Sequence, residues 1–467
     1  MGDSWFNSNL RDIQGFEALN LPIKSTTNNE AVRLYDSSAR QFVAYTDDPQ
    51  FDGLKGTLQR LHEADPGFVL SRAFRLVLQW GMPKRLNAQL AGDVDGLHAE
   101  IGVTPMSSWE KLHVQAVKLI FDGKLPDALD VYEQLLTDYP NDMLAAKIAF
   151  NGYIFHGDNG AATRDLMKKI LLKGKRSTPL HSLLHGMLAY GHEECNEFNE
   201  AEKEAKLALE MQRYDCCATH SLAHVLHEQR RDRDAVQFLQ STADHWKKGN
   251  MFACHNTWHM AVSHLENDDL DFAMEIFDQQ FTNNTKDRMC LDLADAASLL
   301  YRLKIAGVKI DSDKWDTVAE MSRSFLELHE VPFYDTMIFL AISGKNDQPV
   351  VQRFLDSVNE VISESPDDYG PKLQKQYCVP IYDAVSAFNA AEYGRVVDCL
   401  YPIRNDLHNI GGSNAQRDVF IQMLTLASIK SPVVKHQELA RSLLLERSAK
   451  GESNLGKRMN NLLLHSG

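Results

Sequence analysis

The stretch WEKLHVQAVKLIFDGKLPDALDVYEQLLTDYP, residues 109–140, constrains this chain more than any other. Counted from Trp109, Leu112 falls at position four, Ala116 at eight, Leu119 at eleven, Ala128 at twenty, Tyr132 at twenty-four, Leu135 at twenty-seven and Pro140 at thirty-two. That register describes two antiparallel helices. Small residues at eight and twenty let them approach, larger apolar residues fill the space between neighbouring pairs, and the proline ends the second helix.

Such a register is that of a tetratricopeptide repeat, and looser copies follow it. Ala201 serves as position twenty of another pair, and Ala235 and Ala273 repeat it, so units begin near 182, 216 and 254. Residues 58–81 read as helix, Asp-Pro break, helix, and residues 387–404 as another helix-turn-helix. The loops at 343–350 and 363–370 separate helices rather than domains, and few β-branched alternating runs occur. The expected fold is all-α: a tetratricopeptide-like α-solenoid of antiparallel helix pairs with irregular ends. It forms a single repeat domain over 1–467, most regular at 109–280, with an N-terminal extension at 1–28 and a C-terminal tail or capping helix at 448–467.

Charge limits the partners. A formal net charge of −15 opposes phosphate backbones and anionic lipid, and the densest basic run, KKILLKGKRS at 168–177, reads as a solvated helix end and loop. Neither nucleic acid nor membrane is expected as a partner. Seven cysteines without CxxC pairs read as reduced thiols. The start, MGDSWFNSN, has no charged-then-apolar signal, Phe6 stands where a myristoylation motif wants Ser or Thr, and no apolar run reaches the ~18 residues of a membrane span. A soluble cytoplasmic protein is expected.

Seven of the 18 histidines lie between His220 and His264, six of them in CCATHSLAHVLHEQ and CHNTWHMAVSH and the seventh, His245, between the two. In a repeat of this register the first helix faces a concave groove, through positions near two, five, nine, twelve and thirteen. Those are Cys217, His220, His224, His227 and Glu228 in one unit, and begin with His255 and Trp258 in the next; earlier units contribute His113, Tyr190, Glu193 and Glu194. His220, His224 and His227 share one helix face, and His255 and His259 are one turn apart. Converging imidazoles can ligate a transition metal, relay protons or clasp an anion. Beside that stands the plainer reading of buried histidines bonded to backbone or Glu, with Trp258 filling an interhelical wedge. Cys216 and Cys217 read as packing rather than a redox pair, while Cys254, directly before His255, leaves an active-site thiol open.

The chain resembles the tetratricopeptide repeat protein 38 family nearly end to end. The resemblance rests on TNNEAVRLYD at 27–36, CHNTWH at 254–259, LDLADAASLLYRL at 291–303, GGSNAQRDVF at 411–420 and ARSLLLER at 440–447. It implies a helical repeat fold and brings no established activity. It also implies a polar set from four places: His220, His224 and His227; His255, Asn256, Trp258 and His259; Asp335; and Asn414, Gln416, Arg417 and Asp418. Such a set would line one pocket. Two positions depart from the pattern, since His227 stands where Glu is usual, with Glu228 beside it, and Met337 stands where a histidine is expected. Read alone, the paired glycines 411–412 free a helix end, Ser413 or Asn414 caps the next helix, and Arg417 is either a helix-start ion pair with Asp418 or a clamp for a carboxylate or phosphate.

Two functions remain open. One is a binding solenoid that holds a peptide or a small polar or anionic ligand in its groove. The other is an enzyme that uses the histidine cluster for acid/base or metal-assisted chemistry on a small substrate. No GxSxG elbow, phosphate-cradling glycine loop or nucleotide fingerprint appears, so the sequence names neither a nucleophile nor a cofactor.

Overall fold

The computed structural model describes residues 6–157, 160–282 and 288–465. Among them no β-strand occurs, only an isolated bridge between Ile101 and Thr104. The fold is all-α, with helices packed in neighbouring pairs as in an α-solenoid. No helix among the described residues is long and apolar enough to cross a membrane.

The 109–140 register becomes the helices Ser108–Phe121 and Leu125–Asp138. Ser107 and Glu110 start the first with a reciprocal capping box, and Asp142, just past Pro140, caps Met143–His156. Ala116 and Ala128 are completely buried where the two helices meet. The pairs expected near 182, 216 and 254 are Leu183–Glu194 with Phe198–Met211, Cys216–Glu228 with Asp232–Ser241, and Met251–Glu266 with Leu270–Phe281. Their internal connections span only 195–197, 229–231 and 267–269, which forces each pair antiparallel. Ala201, Ala235 and Ala273 are again completely buried. The Asp-Pro break falls between Gly53–Ala64 and Val69–Val77, and the later helix-turn-helix is Val379–Asn389 with Tyr393–Leu400.

The chain forms two compact units, one from 1–221 with 245–252, the other from 222–244 with 253–467. In the first unit the N-terminal extension is tied down. Glu110 accepts from the backbone N–H of Lys24 and of Ser25, each at 3.1 Å, and from the Ser25 hydroxyl at 2.6 Å, while Phe16 packs 6.1 Å from the Trp109 ring. The 245–252 segment is equally integral. Trp246 is completely buried, Phe252 stacks on Tyr45 at 4.5 Å, and the Asn250 N–H donates to the Tyr45 carbonyl at 2.8 Å.

In the second unit two helices, Cys290–Ile305 and Asn414–Lys430, are buried on nearly every side. Helices of that kind form the centre of a unit and show little amphipathic pattern. On Cys290–Ile305 the polar residues Asp295, Ser298 and Arg302 form a buried stripe at helical spacing. The last helix, Asn454–Leu464, is docked through Arg458 on the Ala306 carbonyl at 3.0 Å and Asp268 at 2.5 Å.

Candidate functional site

The structure sorts the seven clustered histidines by job. His227 and His264 stand near the ends of first helices, and each bonds through Nδ1 to a carboxylate five residues on: Asp232 at 3.0 Å and Asp269 at 2.9 Å. His192 repeats this with Glu197 in the preceding pair. These three tie the first helix of a pair to the start of its second, across the turn. His245 packs edge-on against Tyr214 at 5.5 Å. His220, in the first unit, stacks on Tyr190 at 6.0 Å and meets Phe252 at 4.9 Å. One turn later on the same helix comes His224, which belongs to the second unit.

In that second unit His224, His255 and His259 converge, their ring nitrogens lying within 4.8 Å of one another. The rings of His224 and His259 are 4.5 Å apart, and those of His255 and His259 4.8 Å. All three side chains are buried, at 0%, 3% and 2% exposure. Trp258 backs them, stacked on His255 at 5.3 Å and edge-on to His259 at 4.7 Å. Two helices supply the cluster, and Ala223 and Ala261, near the imidazoles in sequence, are both buried, as small residues at a close helix approach are.

Asp295 fixes the orientation of His255. Its oxygens lie 3.0 and 2.9 Å from Nδ1, which leaves Nε2 as the atom His255 turns elsewhere. Burial pushes the Asp295 carboxyl up to about 6, with His255 opposing the rise. Trp258 Nε1 and both amide atoms of Asn256 are buried and find no hydrogen-bond partner among the described residues. Cys254 is no thiolate: burial, reinforced by Asp295 and Asp292, pushes its thiol far above the ordinary range. Burial likewise raises the Cys216 and Cys217 thiols to about 12.

Next to this cluster lies a buried ion network. Arg302 places its guanidinium 5.7 Å from the Trp258 ring, 3.5 Å from Asp418, and on the Ala415 carbonyl at 2.5 Å. Arg447 bonds Asp418 at 3.0 Å and also pairs with Glu266, to which Arg230 adds a contact at 3.9 Å. Burial would raise the Asp418 carboxyl, but Arg447, Arg230 and Arg302 outweigh it and hold the group well below the carboxylate range. The same contest leaves Glu228 at about 2, with Lys450, Arg230 and His227 overcoming burial.

The remaining residues singled out from the sequence have partners of their own. Asp335 bonds His329 Nδ1 at 3.0 Å and accepts from Gln374, which in turn accepts from the Tyr382 hydroxyl at 2.9 Å; Met337 is buried near it in sequence. Ser413 caps Asn414–Lys430, and Gln416 completes the capping box. Arg417 donates to the Gly411 carbonyl at 3.1 Å, to that of Gly412, and to Asn414 Oδ1 at 2.9 Å. It secures the turn in which Gly411 and Gly412 have φ of 87° and 74°. Asp418 joins the ion network rather than pairing with Arg417, and Arg302 is the guanidinium that reaches Trp258. The faces expected to line a groove are largely covered: His113, Tyr190, Glu193, Cys217, His220, His224, His227, Glu228, His255 and Trp258 are all buried, and Glu194 alone of that set is half-buried.

Asp295 and Arg302 were missed in the sequence. Their signal was the spacing of Asp295, Ser298 and Arg302 along an otherwise apolar helix, where a stripe of charge needs buried partners. A comparison with models of known protein families finds no match for this chain.

Proposed function

We propose that this chain is a helical-repeat binding protein whose site is the imidazole cluster of its second unit. His224, His255 and His259 contact the ligand, Trp258 walls it, and the ligand is small and polar. The observation that carries this is the convergence of three buried imidazoles within 4.8 Å, beside an indole N–H and a carboxamide without partners. A buried polar group left unsatisfied costs ~1–3 kcal/mol, and a ligand that engages it offsets that cost. Side chains only 0–3% exposed suit an enclosed ligand; a peptide needs an open face. The resemblance to the tetratricopeptide repeat protein 38 family belongs to this reading, since its HxxxH and HNxWH segments are those that supply the imidazoles.

A second reading has its own observation. The Asp295–His255 pair is a carboxylate-oriented imidazole, the arrangement of a general base, so an acid/base enzyme acting on a small substrate is the alternative.

A thermal-shift screen of polar metabolites against the full chain, with and without added metal, tests the site. Stabilisation lost in His259→Gln supports the proposal, whereas stabilisation equal in that variant and the wild type sinks it. Turnover of a stabilising compound, abolished in Asp295→Asn, favours the enzyme.

A further inference from the structure

We infer that the ligand of this cluster is a divalent transition metal of the zinc class, bound by His224, His255 and His259, with Asp295 as a positioning residue. This rests on the reading that the cluster is a ligand site, and names the chemistry that fits it. All three donors are imidazole nitrogens, which suit zinc, copper, nickel or iron and exclude a site built for calcium or magnesium. His255 and His259 are an i, i+4 pair on one helix face, and His224 meets them from the next helix.

The dimensions agree. In a tetrahedral site with Zn–N of ~2.0–2.1 Å, ligand nitrogens lie about 3.4 Å apart. The present upper separation of 4.8 Å is closed by rotating side chains through roughly 1.4 Å. His255 already has the outer partner that a ligating histidine requires, with Asp295 on Nδ1 setting the ring so that Nε2 is the ligating atom. That carboxylate also offsets part of the ion's charge.

The other cation-sized grouping of this unit, His227 with Glu266 and Asp418, is a poor competitor. Arg302 and Arg447 pair directly with its carboxylates and Arg230 approaches Glu266, so an added dication would meet three guanidinium charges. The donor types and the neighbouring charges both favour the imidazole cluster.

The test uses the full chain, freed of metal with a chelator and titrated with zinc alone. The expected result is about one zinc per chain. His224→Gln and His259→Gln each lower the affinity by about tenfold or more, Asp295→Asn lowers it roughly 10–100-fold without changing the stoichiometry, and His227→Gln leaves it unchanged. Cobalt substituted into the wild type gives visible d–d bands without a thiolate charge-transfer band. Circular dichroism checks that each variant folds; where one does not, the wild-type cobalt spectrum decides. Failure of the wild type to bind zinc, a thiolate band, or full affinity in both histidine variants overturns the metal site. If zinc fails while a metabolite still stabilises the chain through His259, the ligand site survives and only its metal is lost.

Discussion

The imidazole of His227 sits five residues before the carboxylate it bonds, and those of His192 and His264 do the same. In sequence His227 and His264 look like members of the cluster, because helical spacing cannot tell a side chain aimed at the next helix's start from one aimed at a shared centre. His227→Gln therefore has a defined signature. Losing the bond to buried Asp232 costs on the order of 1–2 kcal/mol in urea unfolding, while metal stoichiometry stays intact. Equal loss of zinc in this variant would place His227 in the site. Arg417 is a similar case. Its guanidinium donates to the carbonyls of its own glycine turn, so Arg417→Ala strands buried acceptors and lowers stability by about 1–3 kcal/mol, read from the same unfolding curves. A variant as stable as wild type that fails only in ligand binding would return Arg417 to the role of a clamp.

Among the elements, the helix Cys216–Glu228 has a buried carboxyl at its start. Asp215 caps it through Oδ1 on the Ala218 N–H at 3.0 Å. Burial nevertheless outweighs that bond and the nearby Lys147, raising the carboxyl to about 6. Between the unfolded value near 4 and the folded value near 6 the folded chain holds the extra proton, so stability falls as pH rises through that window. Asp215→Asn keeps the cap acceptor and removes the charge. The wild type should lose on the order of 2 kcal/mol more than this variant between about pH 4 and pH 7.5. Parallel pH profiles would contradict the assignment. The helix itself was legible, as were its neighbours, because small residues at fixed intervals announce a close pair. The helices Cys290–Ile305 and Asn414–Lys430 were not readable as the central elements they are. Buried on nearly every side, they lack the two-faced pattern from which orientation is inferred, and only the stripe Asp295, Ser298 and Arg302 betrayed a partnered face.

At the scale of the whole molecule, the chain leaves its first unit at 221 and returns for 245–252 before continuing. The returning segment brings buried Trp246 and the Phe252 ring that stacks on Tyr45. Loss of one buried aromatic side chain costs ~3–5 kcal/mol, so a fragment ending at 244 should melt far below one ending at 252, or aggregate. Identical melting curves for the two fragments would contradict the role given to 245–252. The sequence supplied the repeat but not this excursion, since the register sees neighbouring pairs and is blind to a strap that closes against a helix two hundred residues earlier.

All seven cysteine thiols are raised, each with burial as the largest cause. A thiol held as S–H reacts slowly with alkylating reagents, so labelling waits on local opening. Cys217 lies near the start of the helix bearing His224, and Cys254 stands directly before His255. Their alkylation rates are therefore two natural stopwatches on the helices that build the site, readable by mass spectrometry without any engineered probe. A ligand that closes the imidazoles should slow both.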